Sequence, residues 1–224
     1  MRKFWGLVQW TVGGLAPLLL IGSASAAIIG GTITTTTANS AGAVFSLLGP
    51  QAAVGGVGIP VAGKNVMGMN ERTGVTLAAP VTIDGGTLAA GTKVDSHIVF
   101  SDFVATSGIV AKVKFAGTIV GIITRSNPTN FLTPTNPIFG LLGTTYLNAN
   151  NWGMENGALF AGLTEGVVIS GSNEITFTST GIGPDYVRVL TVPVPEPGSV
   201  AVLSLGAVGL VFAGYRRRRN RASV

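Results

Sequence analysis

Ala111-Lys112-Val113-Lys114-Phe115 alternates apolar residues with lysines at a period of two. A strand points successive side chains to opposite faces, so 111, 113 and 115 should face a core and both lysines water. Glu174-Ile175-Thr176-Phe177-Thr178 repeats the pattern, with 175 and 177 inward. Tyr186-Val187-Arg188-Val189 puts 187 and 189 on one face and Arg188 on the solvent face. Further strands are expected at His97 to Phe103, Thr118 to Thr124 and Gly166 to Ser170. Gly, Asn and Pro clusters break these short runs. The pattern predicts a mainly β fold, an antiparallel sandwich or jelly roll over residues 72–192.

Outward from these strands the chain changes character. Residues 27–71 are rich in Ala, Gly and Thr, with Phe45 their only aromatic. Ten aromatics lie between His97 and Val192, which places the expected core there. The earlier segment reads as loosely ordered, or as one or two peripheral strands. The chain has no cysteine, which excludes disulfides and thiolate chemistry.

The formal charge of +5 belongs to the two ends. Between Ala27 and Val194 seven basic residues face eight acidic ones, so the body lacks the basic footprint of a nucleic-acid binder. Residues 1–26 read as a secretory signal. Arg2 and Lys3 precede an apolar stretch ending at Ile21, and Ala24 and Ala26 have the spacing of a signal-peptidase site. Cleavage after Ala26 is expected. The secretion translocase and signal peptidase are then transient partners.

Residues 193–224 form a second signal. Pro195-Glu196-Pro197 is followed by Gly198 to Tyr215 without a charge, then by Arg216, Arg217, Arg218 and Arg219. As a helix the uncharged stretch would rise about 27 Å, against a hydrocarbon core of about 30 Å. The arginine run should stay cytoplasmic, which leaves the body outside. This tail resembles the PEP-CTERM sorting domain of Gram-negative bacteria. The resemblance implies recognition by exosortase, a membrane protease-transpeptidase, and an inner-membrane intermediate that ends at the cell surface or in the extracellular matrix. A permanent single-pass anchor is the other reading of the same residues.

The body has a resemblance of its own. Gly74 to Ala79, Ala90 to His97, Gly117 to Ile123, Gly143 to Tyr146 and Asp185 to Val189 are similar to an uncharacterised domain common among PEP-CTERM exports. That family usually has a second His and an Asp-Pro after the Asp-Ser-His; here the chain reads Ile98-Val99-Phe100-Ser101-Asp102-Phe103. The resemblance implies a fold and a setting, and no reaction.

Catalytic chemistry has little to work with. His97 is the only histidine, and no Gly-x-Ser-x-Gly elbow occurs in the body. A triad with Asp95 or Asp102 is the sharp reading; a satisfied histidine at a sheet edge is the expected one. Zinc would need several His or Cys ligands. Asp84-Gly85-Gly86 reads as a hairpin turn before a calcium turn. Asn150, Asn151, Trp152 and Glu155 could bind a sugar or calcium, or form an ordinary Asn-rich loop with its Trp in the core. No catalytic residue, resident metal or cofactor is expected. The expected role is a surface or matrix protein, structural or associated with exopolysaccharide. The alternative is a secreted hydrolase with a carboxylate-only site, which needs two acids facing each other across a cleft.

Overall fold

The computed structural model describes residues 23–24, 26–50, 53–54, 65–124, 132–146, 154, 159–160 and 162–195. They belong to one unit, Ser23–Pro195, which is mainly antiparallel β. No helix among the described residues is long and apolar enough to cross a membrane; Gly198 to Tyr215 lies outside them. So do the leader up to Gly22, Glu196, Pro197, Arg216 to Arg219, and the loop residues Asn150, Asn151, Trp152 and Glu155.

Two long strands organise the sheet. Lys93–Phe115 and Glu174–Thr191 run antiparallel from Glu174↔Lys114 to Thr191↔Asp95. Their register shifts between Gly181↔Ser107 and Gly183↔Phe103, where Gly181 has φ 104°. This irregularity divides both strands into halves. In one half, Ile28–Thr36 pairs with residues 109–115 and Gly166–Gly171 with residues 174–178. In the other, Val66–Thr76 pairs with residues 93–101, Phe45–Leu48 lies parallel to residues 66–69, and Ile119–Ile123 pairs with residues 188–191. The hydrogen bonding forms one continuous seven-stranded sheet.

The alternating segments behave as their period dictates. Val113, Phe115, Ile175 and Phe177 are buried, and the Lys112 and Lys114 side chains are 49% and 61% exposed. Val187 and Val189 are buried too. Residues from both halves, Val99 and Val187 with Val113 and Phe177, share one buried cluster.

Arg188 corrects the expectation drawn from its neighbours: it is fully buried. A second cluster covers that face of the sheet, with Met69, Ile98, Phe139, Tyr186 and Leu190. Its cover includes the helix Leu132–Phe139. A strand buried on both faces needs no polar side, so the alternation that marks half-buried strands misleads here.

The first third of the chain is also woven in. Ile28–Thr36 and Phe45–Leu48 each pair with one neighbour of the main sheet, and Val66–Thr76 lies inside it. The 71/72 boundary drawn from composition falls within that strand. The threonine run ends in a turn: Ser40 Oγ donates to the Gly108 carbonyl at 2.6 Å and Gly108 N–H to Thr37 Oγ1 at 3.0 Å.

Candidate functional site

The sorting segment enters the described residues through Val194–Pro195, a two-residue strand. Its partner is Ser23–Ala24, antiparallel, with Ser23 opposite Pro195 and Ala24 opposite Val194. The chain therefore leaves the body for its two ends from neighbouring positions. Proline fixes φ and has no N–H to give, so the segment is extended and sits where no further pairing is required of it.

Next to this exit lies a buried polar network. His97 Nδ1 lies 2.8 Å from Asn70 Oδ1 and Nε2 lies 2.9 Å from Thr191 Oγ1. The Asn70 oxygen also accepts the Ile28 N–H at 2.9 Å. An acceptor at Nδ1 fixes the proton there, and Nε2 takes the threonine hydroxyl. Burial drives the ring pKa down to about 4, against the opposing charges of Asp95 and Glu71. His97 is thus a neutral interior histidine on a strand flanked by Asn70 and Val189, away from any sheet edge. It shares its face with Asp95, as spacing implied. Both Asp95 oxygens accept backbone N–H groups, from Ala26 and Gly74, each at 2.5 Å.

On the opposite face Arg188 grips Glu71 with two bonds, Nε to Oε2 and Nη2 to Oε1, both 2.8 Å. Ser96 Oγ donates to Glu71 Oε2 at 2.6 Å. The guanidinium also donates to Thr135 Oγ1 at 2.6 Å and Asn136 Oδ1 at 2.8 Å, both on the helix. Its carbon stands 5.5 Å from the Tyr146 ring centroid and 5.9 Å from that of Phe139. Burial opposes the charge, and Glu71 outweighs it, so the Arg188 pKa rises. Burial, then Glu71, raises that of Tyr146. Arg72 adds a bond to the Ile138 carbonyl at 2.8 Å, near the helix C-terminus where a cation is favoured. The arrangement clamps the helix to the sheet.

Asp84, Asp185 and Glu165 also have internal partners. Asp84 sits in the turn joining Val81–Ile83 to Gly86–Leu88, with Gly85 at φ 80°. Its carboxylate accepts both the N–H and the hydroxyl of Thr124. Asp185 accepts from Ser179 at 2.5 Å, and Ser179 from Ser101 at 2.6 Å. Thr180 donates to Glu165 at 3.3 Å. No cluster of three His, Cys, Asp or Glu side chains among the described residues could hold a metal.

The accessible chemistry lies on the exposed face of the first half-sheet. A groove of about 520 Å3 is lined by Gly30, Thr32, Thr34, Lys112, Lys114 and Glu174, among others. Glu174 lies 3.4 Å from Lys112 Nζ and 3.7 Å from Lys114 Nζ. The Ser170 hydroxyl, ahead of the two ammonium groups, holds its pKa below the usual carboxylate range.

Sequence reasoning missed Glu71, Asn70 and Thr191. Glu71 and Arg188 are 117 residues apart, and no local pattern pairs them. Comparison with known proteins finds the PEP-CTERM protein-sorting motif at residues 193–219. Neither a curated protein nor a solved structure matches the chain.

Proposed function

We propose that this chain, which carries a PEP-CTERM protein-sorting motif at residues 193–219, delivers a non-enzymatic β body to the cell surface or extracellular matrix, where it associates with exopolysaccharide. The motif makes it an exported exosortase target that passes through a membrane-anchored intermediate. It is the observation that carries the reading. We read the two halves of the sheet as the layers of a sandwich, a reading supported by the buried cluster they share. The same tail supports a Gram-negative origin.

Support for a binding body comes from how its polar groups are used. His97, Glu71 and Asp185 are bonded to other side chains inside the fold, and Asp95 to backbone N–H groups. The groove instead presents threonine hydroxyls, two ammonium groups and a carboxylate, which match a hydroxyl-rich, acidic glycan. The released protein should co-sediment with the producer's purified exopolysaccharide at low salt. Lys112→Ala with Lys114→Ala should weaken this several-fold, since exposed charges act additively and are screened. Equal co-sedimentation of the folded double variant would remove the groove from the account.

A further inference from the structure

Ala26 is built into the body as a core residue, fully buried. Its methyl faces Gly117, where an added Cβ would stand 2.6 Å from Ala26 Cβ and 2.2 Å from the Val192 carbonyl oxygen. The Ala26 N–H donates to Asp95 Oδ2 at 2.5 Å, and Asp95 is itself fully buried. The Ala27 carbonyl accepts the Ala116 N–H at 2.9 Å. The Ile28 N–H goes to Asn70, and strand register begins at Ile28↔Phe115. Apart from the Ser23–Ala24 pairing with Val194–Pro195, which a cut after Ser25 or after Ala26 removes alike, anchoring of the body starts at residue 26. A chain beginning at Ala27 would empty the slot on Gly117 and take a donor from a buried carboxylate.

The leader offers a cut one bond earlier. Ser23 and Ser25 are small residues at the same spacing as Ala24 and Ala26. We propose that signal peptidase cuts between Ser25 and Ala26, and that Asp95 is the buried receptor of the new α-ammonium. This rests on the export reading above. Hydrolysis consumes one water, leaves a carboxylate on Ser25 of the leader and an amine on Ala26, which takes a proton at neutral pH. The donor on Asp95 changes from a neutral amide to a cation, so an ion pair with a hydrogen bond replaces an amide–carboxylate bond. The nearby charged and titratable groups are Lys93, whose side chain lies over Gly74, neutral His97, and Glu71, which is held by Arg188.

The test uses the exported protein as it is recovered from the producer. Amino-terminal sequencing should read Ala26-Ala27-Ile28. Titration of a 13C-methyl tag on the α-amino nitrogen should give a pKa about one unit or more above the usual ~7.7–8.0. Asp95→Asn should return it to that range, and Asp95→Glu, which keeps the charge, should preserve part of the rise. A start at Ala27 or later, or a pKa that Asp95→Asn does not move, overturns the proposal and leaves export intact. An intact Met1 on the surface form would overturn it together with the export reading.

Discussion

Arg188 and Glu71 show what a single residue does in this fold. Two buried ions cost several kcal/mol each to desolvate, and they are kept because every contact is filled. Breaking the pair leaves the other charge stranded. Arg188→Met or Glu71→Gln should each destabilise the body by about 3–5 kcal/mol in denaturant titrations, while Arg188→Met with Glu71→Leu should recover most of the loss. Independent, additive losses in the double variant would contradict a clamp. His97 gives a pH signature. Its folded pKa of about 4 lies below the unfolded value of 6.5, so the unfolded chain binds more protons between them. Stability is fully present above pH 6.5 and declines as pH falls toward 4, by roughly 3 kcal/mol from this group. His97→Gln should flatten that window in melts taken across it. An unchanged slope would mean that another group sets it. A satisfied His97 was legible beforehand, though its interior place was not, and Arg188 was misread. Val-Arg-Val reads as out-facing because alternation reports only whether neighbours are apolar, and the cover over Arg188 comes from a helix some fifty residues earlier in the chain.

Elements were most legible where one face meets water. The segments at 111–115 and 174–178 show their inward and outward positions because the first half-sheet is open on one side. The Ile28–Thr36 and Val66–Thr76 strands were hidden by their glycines and threonines. The structure shows what those glycines do. A Cβ at Gly68 would lie 2.8 Å from Ile28 Cδ1 and 2.9 Å from Phe45 Cζ. The small residue lets Phe45 lie flat across the sheet, so low hydrophobicity marks close packing here. Gly68→Ala should overpack this seam and cost about 1–3 kcal/mol. A thermal melt matching the parent protein would show that Phe45 has room to move aside. Asp84-Gly85, by contrast, was readable as a hairpin because the turn itself demands those residues.

At the scale of the whole molecule, the ends tell where it goes and the middle is shaped to be carried there. Ser23 and Pro195, the first and last residues of the body unit, are register partners. The motif at 193–219 was legible because its parts are local: a proline-bracketed acid, an uncharged span and an arginine run. The groove proposed for a glycan was not, because its lining is gathered from several strands.

The central claim is that Pro195-Glu196-Pro197 is a recognition element, where a plain anchor would need only the span and the arginines. A proline on each side favours an extended backbone, and a glutamate between them would resist entry into the bilayer. The most direct measurement is fractionation of a tagged full-length chain with Pro195, Glu196 and Pro197 all replaced by Ala, beside the parent. The account predicts that the variant inserts normally and accumulates in the inner membrane with its arginine tail intact, while the parent is released without it. Release of the triple-Ala chain to the surface at the parent's rate, with the same processed mass, would contradict it.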